Sequence, residues 1–325
     1  MPVIETRGLR KSYKTGRRRK AAVVEAVAGL DLAVAEGEIF GFLGPNGAGK
    51  STTLRMLATL LPPDGGEATI AGADLRKDQA AVRAAIGYIA QGGGTWDDAT
   101  AREELVLQAR MQGFGKAEAI ELAGGAVEAF GLADFADRGC KTYSGGQRRR
   151  VDIALGVVHK PRVIFLDEPT SGLDPQSRAR LWDEVRRLRA DGMTVFVTTH
   201  YLDEADALCD RIAIIDGGGI VAEGTPGDLK REISGDVVTV RITEAADRTA
   251  VDKAAAVLAG QAFLHSVETR DSGDLRLSVD RGDSAMPQVM RMLGDAGIGL
   301  ATIELHRPTL DDVFLAKTGR SLRES

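Results

Sequence analysis

At 325 residues the chain exceeds one ordinary domain, and about two domains of roughly 150 residues each are expected. Hydrophobic residues at 43% and charged residues at 27% describe an ordinary globular protein, and a formal net charge of -5 excludes any global attraction to nucleic acid or an anionic membrane. Cys140 and Cys209 lie far apart without metal-ligand spacing, which points to reduced thiols in the cytosol. The start Met1-Pro2-Val3-Ile4-Glu5 has no basic patch ahead of an apolar core, so no signal peptide is expected. No apolar run approaches the ~18 residues of a membrane span. Service to a membrane would therefore go through a partner.

In chain order, Val3–Leu9 reads as a first strand, followed by Tyr13, whose ring is either a packing group or a face for an adenine base. Arg17–Lys20 is a basic cluster, read as a solvated loop or a contact for lipid head groups or a partner. A second strand covers the region from Val23 to Val34, and Glu38–Leu43 forms a short buried strand. Gly44–Ser51 then fits G-x-x-x-x-G-K-[ST], in which small residues let successive backbone N–H groups close around a phosphate chain. Ser51–Leu57 reads as a helix whose positive end faces the same phosphates. In this pattern Lys50 reaches the β- and γ-phosphates and Ser51 places its hydroxyl on Mg²⁺.

Pro62–Gly66 marks a turn, Glu67–Gly72 a short strand, and Ile86–Gln91 a strand that ends in a polar amide. From Thr100 to about Phe130 the pattern is helical, with Leu105, Val106, Ala109 and Met111 assigned to one face of a separate subdomain. Ser144-Gly145-Gly146-Gln147 opens a helix bearing Arg148, Arg149 and Arg150, either a plain serine cap or a second anion site at a helix start. Val163–Leu166 is a run of four apolar residues fit for a strand buried on both faces, and Asp167 and Glu168 emerge at its C-terminal edge. Asp167 suits Mg²⁺, and Glu168 suits polarisation of the water that attacks a γ-phosphate. Ser171–Pro175 is a tight turn, and Met193–Thr199 is another buried strand that delivers His200 to the same sheet edge.

These separated pieces resemble one family, the ATP-binding subunits of ABC transporters. Gly44–Thr52 resembles Walker A, Gln91 the Q-loop glutamine, Ser144–Gln147 the signature motif, Val163–Glu168 Walker B with its catalytic glutamate, Ser171–Asp174 the D-loop, and His200 the switch histidine. The resemblance covers residues from about 3 to 230. It implies an α/β P-loop ATPase core with antiparallel β and helical subdomains, the latter at about 92–160. It also implies catalytic Glu168, His200, Gln91 and Lys50, with Mg²⁺ held by Ser51, Gln91 and Asp167. ATP would be bound by Tyr13, Gly44, Asn46, Gly47, Gly49, Lys50, Ser51 and Thr52 of one copy and by Ser144, Gly145, Gly146, Gln147 and Asp174 of a second. Two copies packed head to tail, a homodimer, would thus complete each site, and closure on ATP and opening after hydrolysis would drive a separately encoded membrane permease. The location so implied is the cytoplasmic face of the membrane. Arg17–Lys20 lengthens the connection after Tyr13, Gly92-Gly93-Gly94 follows Gln91, and Trp96 is either a docking anchor or a core residue.

Past residue 234 the texture changes. Asp236–Thr243, Ala262–Thr269, Asp274–Asp280 and Leu300–Leu305 read as strands, with helices at Ala245–Leu258 and Ser284–Ala296. That β-α-β-β-α-β order is the ferredoxin-like pattern of a small α+β domain, 235–325, closed by a helix from Thr309 to Lys317. Arg307–Leu315 resembles the tail of the daunorubicin-resistance type of exporter ATPase. An exporter of drugs, antibiotics or lipids is implied, against a regulatory or dimer-bracing appendage silent on cargo. The rival from another class is a soluble ABC ATPase acting on nucleic acid or ribosomes. One cassette, no heptad run and a negative net charge disfavour it, and no nucleic-acid partner is expected. A P-loop kinase or GTPase is disfavoured by Ser144–Gln147.

Overall fold

A computed structural model of the chain describes residues 2–15, 22–233, 235–243, 247–270 and 273–319. The basic cluster Arg17–Lys20 and the helix start expected at Ala245 lie outside the described residues. The chain divides into two compact units, one running to Pro226 and the other from Gly227 onward.

In the first unit β1 (Pro2–Thr15), β2 (Ala22–Ala35), β4 (Gly65–Ile70) and β5 (Ala73–Asp74) form an antiparallel sheet in the order β2-β1-β4-β5. The first strand runs well past Leu9, crossing a register shift between Thr6 and Leu9 where Gly8 adopts a φ of 57°. Tyr13 therefore lies within β1, opposite Val24.

The second sheet holds β3 (Ile39–Leu43), β6 (Ile86–Ile89), β7 (Val163–Asp167), β8 (Thr194–Thr199), β9 (Arg211–Asp216) and β10 (Gly219–Gly224), ordered β10-β9-β3-β8-β7-β6. All neighbours are parallel except the β9–β10 hairpin. Every residue of β3, β7 and β8 is buried, as continuous apolar runs in a parallel sheet require. Phe196 of β8 packs against Phe40, Phe42 and Phe165 with ring centroids 5.5, 5.5 and 5.7 Å away. This aromatic patch joins Ile4, Leu9 and Val27 of the antiparallel sheet in one core.

Helices α1 (Lys50–Leu57), α2 (Gln79–Ala85), α3 (Ala101–Met111), α4 (Lys116–Ala129), α5 (Gly145–Val157), α6 (Pro175–Ala190) and α7 (Leu202–Leu208) connect the strands. The stretch read as one helical pattern from Thr100 to Phe130 breaks after Met111, where Gly113 takes a φ of 98°, so two helices form. Met111 also leaves the expected apolar face and is 75% exposed, while Leu105 and Ala109 are buried. At 100° per residue it lies roughly 240° around the helix from Leu105. Trp96 is 70% exposed, which removes the core alternative for it.

The second unit contains α8 (Pro226–Ile233), β11 (Asp236–Ile242), α9 (Arg248–Leu258), β12 (Leu264–Thr269), β13 (Leu275–Val279), α10 (Gly282–Asp295), β14 (Leu300–His306) and α11 (Leu310–Thr318). Its sheet is antiparallel in the order β12-β13-β11-β14, with the β-α-β-β-α-β succession of a ferredoxin-like unit. Val238, Val240, Leu275 and Leu277 meet Val251, Leu258, Val289 and Leu293 of α9 and α10 in a core of its own.

Candidate active site

The loop from Gly44 to Gly49 joins the C-terminal edge of β3 to α1. A Cβ at Gly44 would collide with the carbonyl oxygen of Ile215, and one at Gly49 with that of Ala26, so glycine is required at both. Gly47, at a φ of 81°, faces open space beside the exposed Asn46. Gly49 gives α1 no side-chain cap, which leaves the first N–H groups of the helix, including those of Ser51 and Thr52, for an anion. Lys50, 4% exposed, donates to the carbonyls of Gly44 (2.6 Å) and Pro45 (3.1 Å), which curls the loop over its ammonium. Burial lowers the Lys50 pKa, and neighbouring Glu168 works against that shift.

Lys50 Nζ lies 3.3 Å from Glu168 Oε1. On the other oxygen, Gln91 Nε2 donates to Glu168 Oε2 at 2.9 Å, and His200 Nδ1 stands 3.3 Å away without hydrogen-bond alignment. Glu168 is thus the hub of residues from β3–α1, β6, β7 and β8. Its backbone takes a φ of 44°, in the left-handed region that a glutamate rarely enters. Beside it, Asp167 accepts from Ser51 Oγ at 3.0 Å and from Thr198 Oγ1 at 2.7 Å. The Thr198 hydroxyl also accepts from the Glu168 N–H at 3.0 Å. Ser51 and Asp167, in contact at 3.0 Å, are hard oxygen donors of the kind Mg²⁺ takes together with phosphate oxygens.

The signature residues stand apart from this cluster. Ser144 caps α5, accepting from the Gln147 N–H at 3.2 Å, while Gln147 Oε1 accepts from the Ser144 N–H at 3.0 Å. Ser144 and Gly145 are exposed, and the Ser144 hydroxyl keeps its proton to donate elsewhere. A Cβ at Gly146 would press on Ser177 Oγ of α6 at 2.8 Å. Asp174 caps that helix, accepting from the Ser177 N–H (2.9 Å) and Oγ (2.6 Å), and these bonds hold its carboxyl pKa down. Among the described residues, no hydrogen bond or ion pair links Ser144–Gln147 or Asp174 to Lys50, Asp167 or Glu168. Tyr13 likewise joins none of them and is 39% exposed on β1. The chain thus carries two separate anion-receptive edges.

Sequence reasoning missed five supporting residues. Thr198 and Thr199 end β8, and nothing in a run of apolar and β-branched residues marks the hydroxyl that holds Asp167. Arg149 and Asp152, on α5, are 6% and 4% exposed, and Asp152 accepts from the Gly94 N–H at 2.9 Å. Burial pushes the Asp152 pKa up. A charged residue on the buried side of an otherwise apolar helix face was the available signal. Glu204, fully buried, accepts from Thr170 Oγ1 at 3.1 Å and Trp182 Nε1 at 3.2 Å, and burial raises its pKa.

Residues 27–171 match the ABC transporter family, and residues 224–318 match the C-terminal domain of DrrA1-3-like ATP-binding proteins. The chain is 46% identical over 319 residues to the daunorubicin/doxorubicin resistance ATP-binding protein of Streptomyces peucetius, covering 97% of this chain and 92% of that one. The chain belongs to the ATP-binding subunits of ABC transporters. To the doxorubicin resistance ATP-binding protein of Mycobacterium tuberculosis this ABC subunit is 41% identical over 315 residues, with 96% and 92% coverage. A solved dimeric ATP-binding cassette, bound to ADP and phosphate after hydrolysis, matches with a TM-score of 0.61 at 28% identity, over 68% of this chain and 98% of that one. The protein is therefore an ATPase with a P-loop ABC core, and it binds ATP. The match over nearly its whole length to transporter subunits supports transport, not the nucleic-acid alternative. Subunits of this kind pair with membrane permeases. Among the described residues no helix is long and apolar enough to cross a membrane.

Proposed function

We propose that this ABC ATPase works as a homodimer on the cytoplasmic face of the membrane, driving export of a drug, antibiotic or lipid through a separately encoded permease. The observation that carries the reading is the convergence of Lys50, Gln91 and His200 on the buried Glu168. Bound Mg-ATP supplies the γ-phosphoryl group and the metal charge that offsets its oxygens. Within one copy Gly44, Asn46, Gly47, Gly49 and Thr52 cradle the phosphates, and Lys50 turns from its carbonyls toward them. Ser51, Asp167 and Gln91 hold Mg²⁺. Glu168 polarises the attacking water, with Gln91 and His200 keeping its carboxylate and the water aligned. From the second copy Ser144, Gly145, Gly146, Gln147 and Asp174 close over the γ-phosphate, while Tyr13 of the first copy stacks on adenine. The exposed Trp96, Leu107 and Met111 border a groove of about 470 Å³ beside Gln91 and α3 that suits an apolar permease segment. The accessory domain, taken as 235–325, follows the ATP-binding domain, taken as 1–234. Its resemblance to relatives that confer daunorubicin and doxorubicin resistance supports the cargo class.

The test is Glu168→Gln in the full chain with Mg-ATP. Turnover should fall at least about 100-fold while ATP binding persists, and size-exclusion chromatography should show an ATP-dependent dimer. Turnover near that of the unmodified chain would remove Glu168 from the reaction.

A further inference from the structure

Arg149 is the middle of three consecutive arginines on α5, and its side chain turns inward. Arg148 bonds to Asp97 and the Cys140 carbonyl, and Arg150 lies over the Phe135 ring, so both serve the packing around the helix. Arg149, only 6% exposed, instead donates from Nε to the Pro169 carbonyl at 2.8 Å and from Nη1 to the Ala90 carbonyl at 3.0 Å. Ala90 immediately precedes Gln91, and Pro169 immediately follows Glu168. One rigid guanidinium therefore ties the two backbone segments whose side chains meet in the 2.9 Å Gln91–Glu168 hydrogen bond. Asp152, 3.8 Å from Nη1, adds a countercharge and holds the Gly94 N–H of the same loop. Glu168 sits in a left-handed conformation that persists only when its surroundings over-determine it, and the bond to the next carbonyl is one such restraint.

We propose that Arg149 is a positioning residue for ATP hydrolysis, holding Gln91 and Glu168 in register and passing displacement of the signature helix, whose cap Ser144 lies five residues earlier, to both. The inference rests on the roles given above to Glu168 and Gln91. Two carbonyls at a fixed separation suit the planar fork of arginine; a lysine ammonium reaches one at a time.

The test compares Arg149→Gln and Arg149→Lys in the full chain, in the unmodified and Gln91→Ala backgrounds. Turnover at varied Mg-ATP, binding of a non-hydrolysable ATP analogue and melting temperature are measured. Arg149→Gln should lower kcat by about 30-fold or more with KM and analogue affinity within about twofold, because misplacement of a reacting group by about 1 Å costs on that order. Arg149→Lys should restore part of kcat, and in the Gln91→Ala background the loss should shrink to a few-fold, since groups acting as one unit are non-additive. A kcat within about twofold for Arg149→Gln overturns the proposal. So does a joint fall of kcat, affinity and melting temperature that persists in full without Gln91, the mark of a purely structural role. Should Arg149→Gln not fold, Arg149→Lys alone decides, and unmodified turnover there overturns it. Glu168→Gln separates the two readings. If it hydrolyses normally, the active-site assignment fails; if it is dead while Arg149→Gln is unaffected, only the Arg149 inference fails.

Discussion

Lys50 is a cation buried among backbone carbonyls with a single carboxylate at 3.3 Å, so it is under-paired until an anion arrives. Its burial lowers the pKa, and a phosphate chain would raise it again by favouring the charged form. Lys50→Ala should weaken ATP binding by about 10- to 100-fold, the worth of a charge-assisted hydrogen bond, as read by titration calorimetry. Glu204 shows the opposite case. Burial raises its carboxyl pKa, chiefly against hydrogen bonds from Thr199, Thr170 and Trp182. The folded state then binds the proton more tightly than the unfolded one. Its contribution to stability is therefore greatest in acid and falls as pH rises from the ordinary glutamate value through the folded one. Glu204→Gln removes that dependence, so its melting temperature relative to the unmodified protein should become more favourable between pH 4 and pH 8. A constant difference across that range would contradict the assignment.

At the scale of elements, the site depends on close approaches that only glycine permits. A Cβ on Gly87 of β6 would strike the carbonyl oxygen of Gly156 on α5, so strand and signature helix touch backbone to backbone. Gly87→Ala should cost about 1–3 kcal/mol in urea unfolding, by overpacking. Phe196 meets three rings across β3, β8 and β7, and Phe196→Ala should cost about 3–5 kcal/mol by the same measurement. The apolar runs of β3, β7 and β8 were legible because a strand buried on both faces has no alternation to blur. The break between α3 and α4 was less so, because Gly113 and Gly115 sit among residues that each favour helix on either side.

For the whole molecule, the second unit has its own two-helix, four-stranded core. A fragment from Gly227 to the C-terminus should fold alone and melt in one cooperative step by circular dichroism; a broad, non-cooperative melt would show that its core is insufficient. The division after Pro226 gives this unit α8 from its second residue onward.

By itself the sequence determined the nucleotide chemistry, because phosphate binding demands particular small and charged residues at fixed spacing along one local turn. Gly44–Ser51 announces itself that way, Asp167, Glu168 and His200 by following buried apolar strands, and the C-terminal unit by its β-α-β-β-α-β order. Tertiary structure alone decided which residues hold the reactive ones. Thr198, Arg149, Asp152 and Glu204 act through contacts with partners between 20 and 59 positions away in the chain. A hydroxyl or guanidinium becomes a brace only when folding buries it beside an unpaired carbonyl or carboxylate, and no local spacing encodes that meeting.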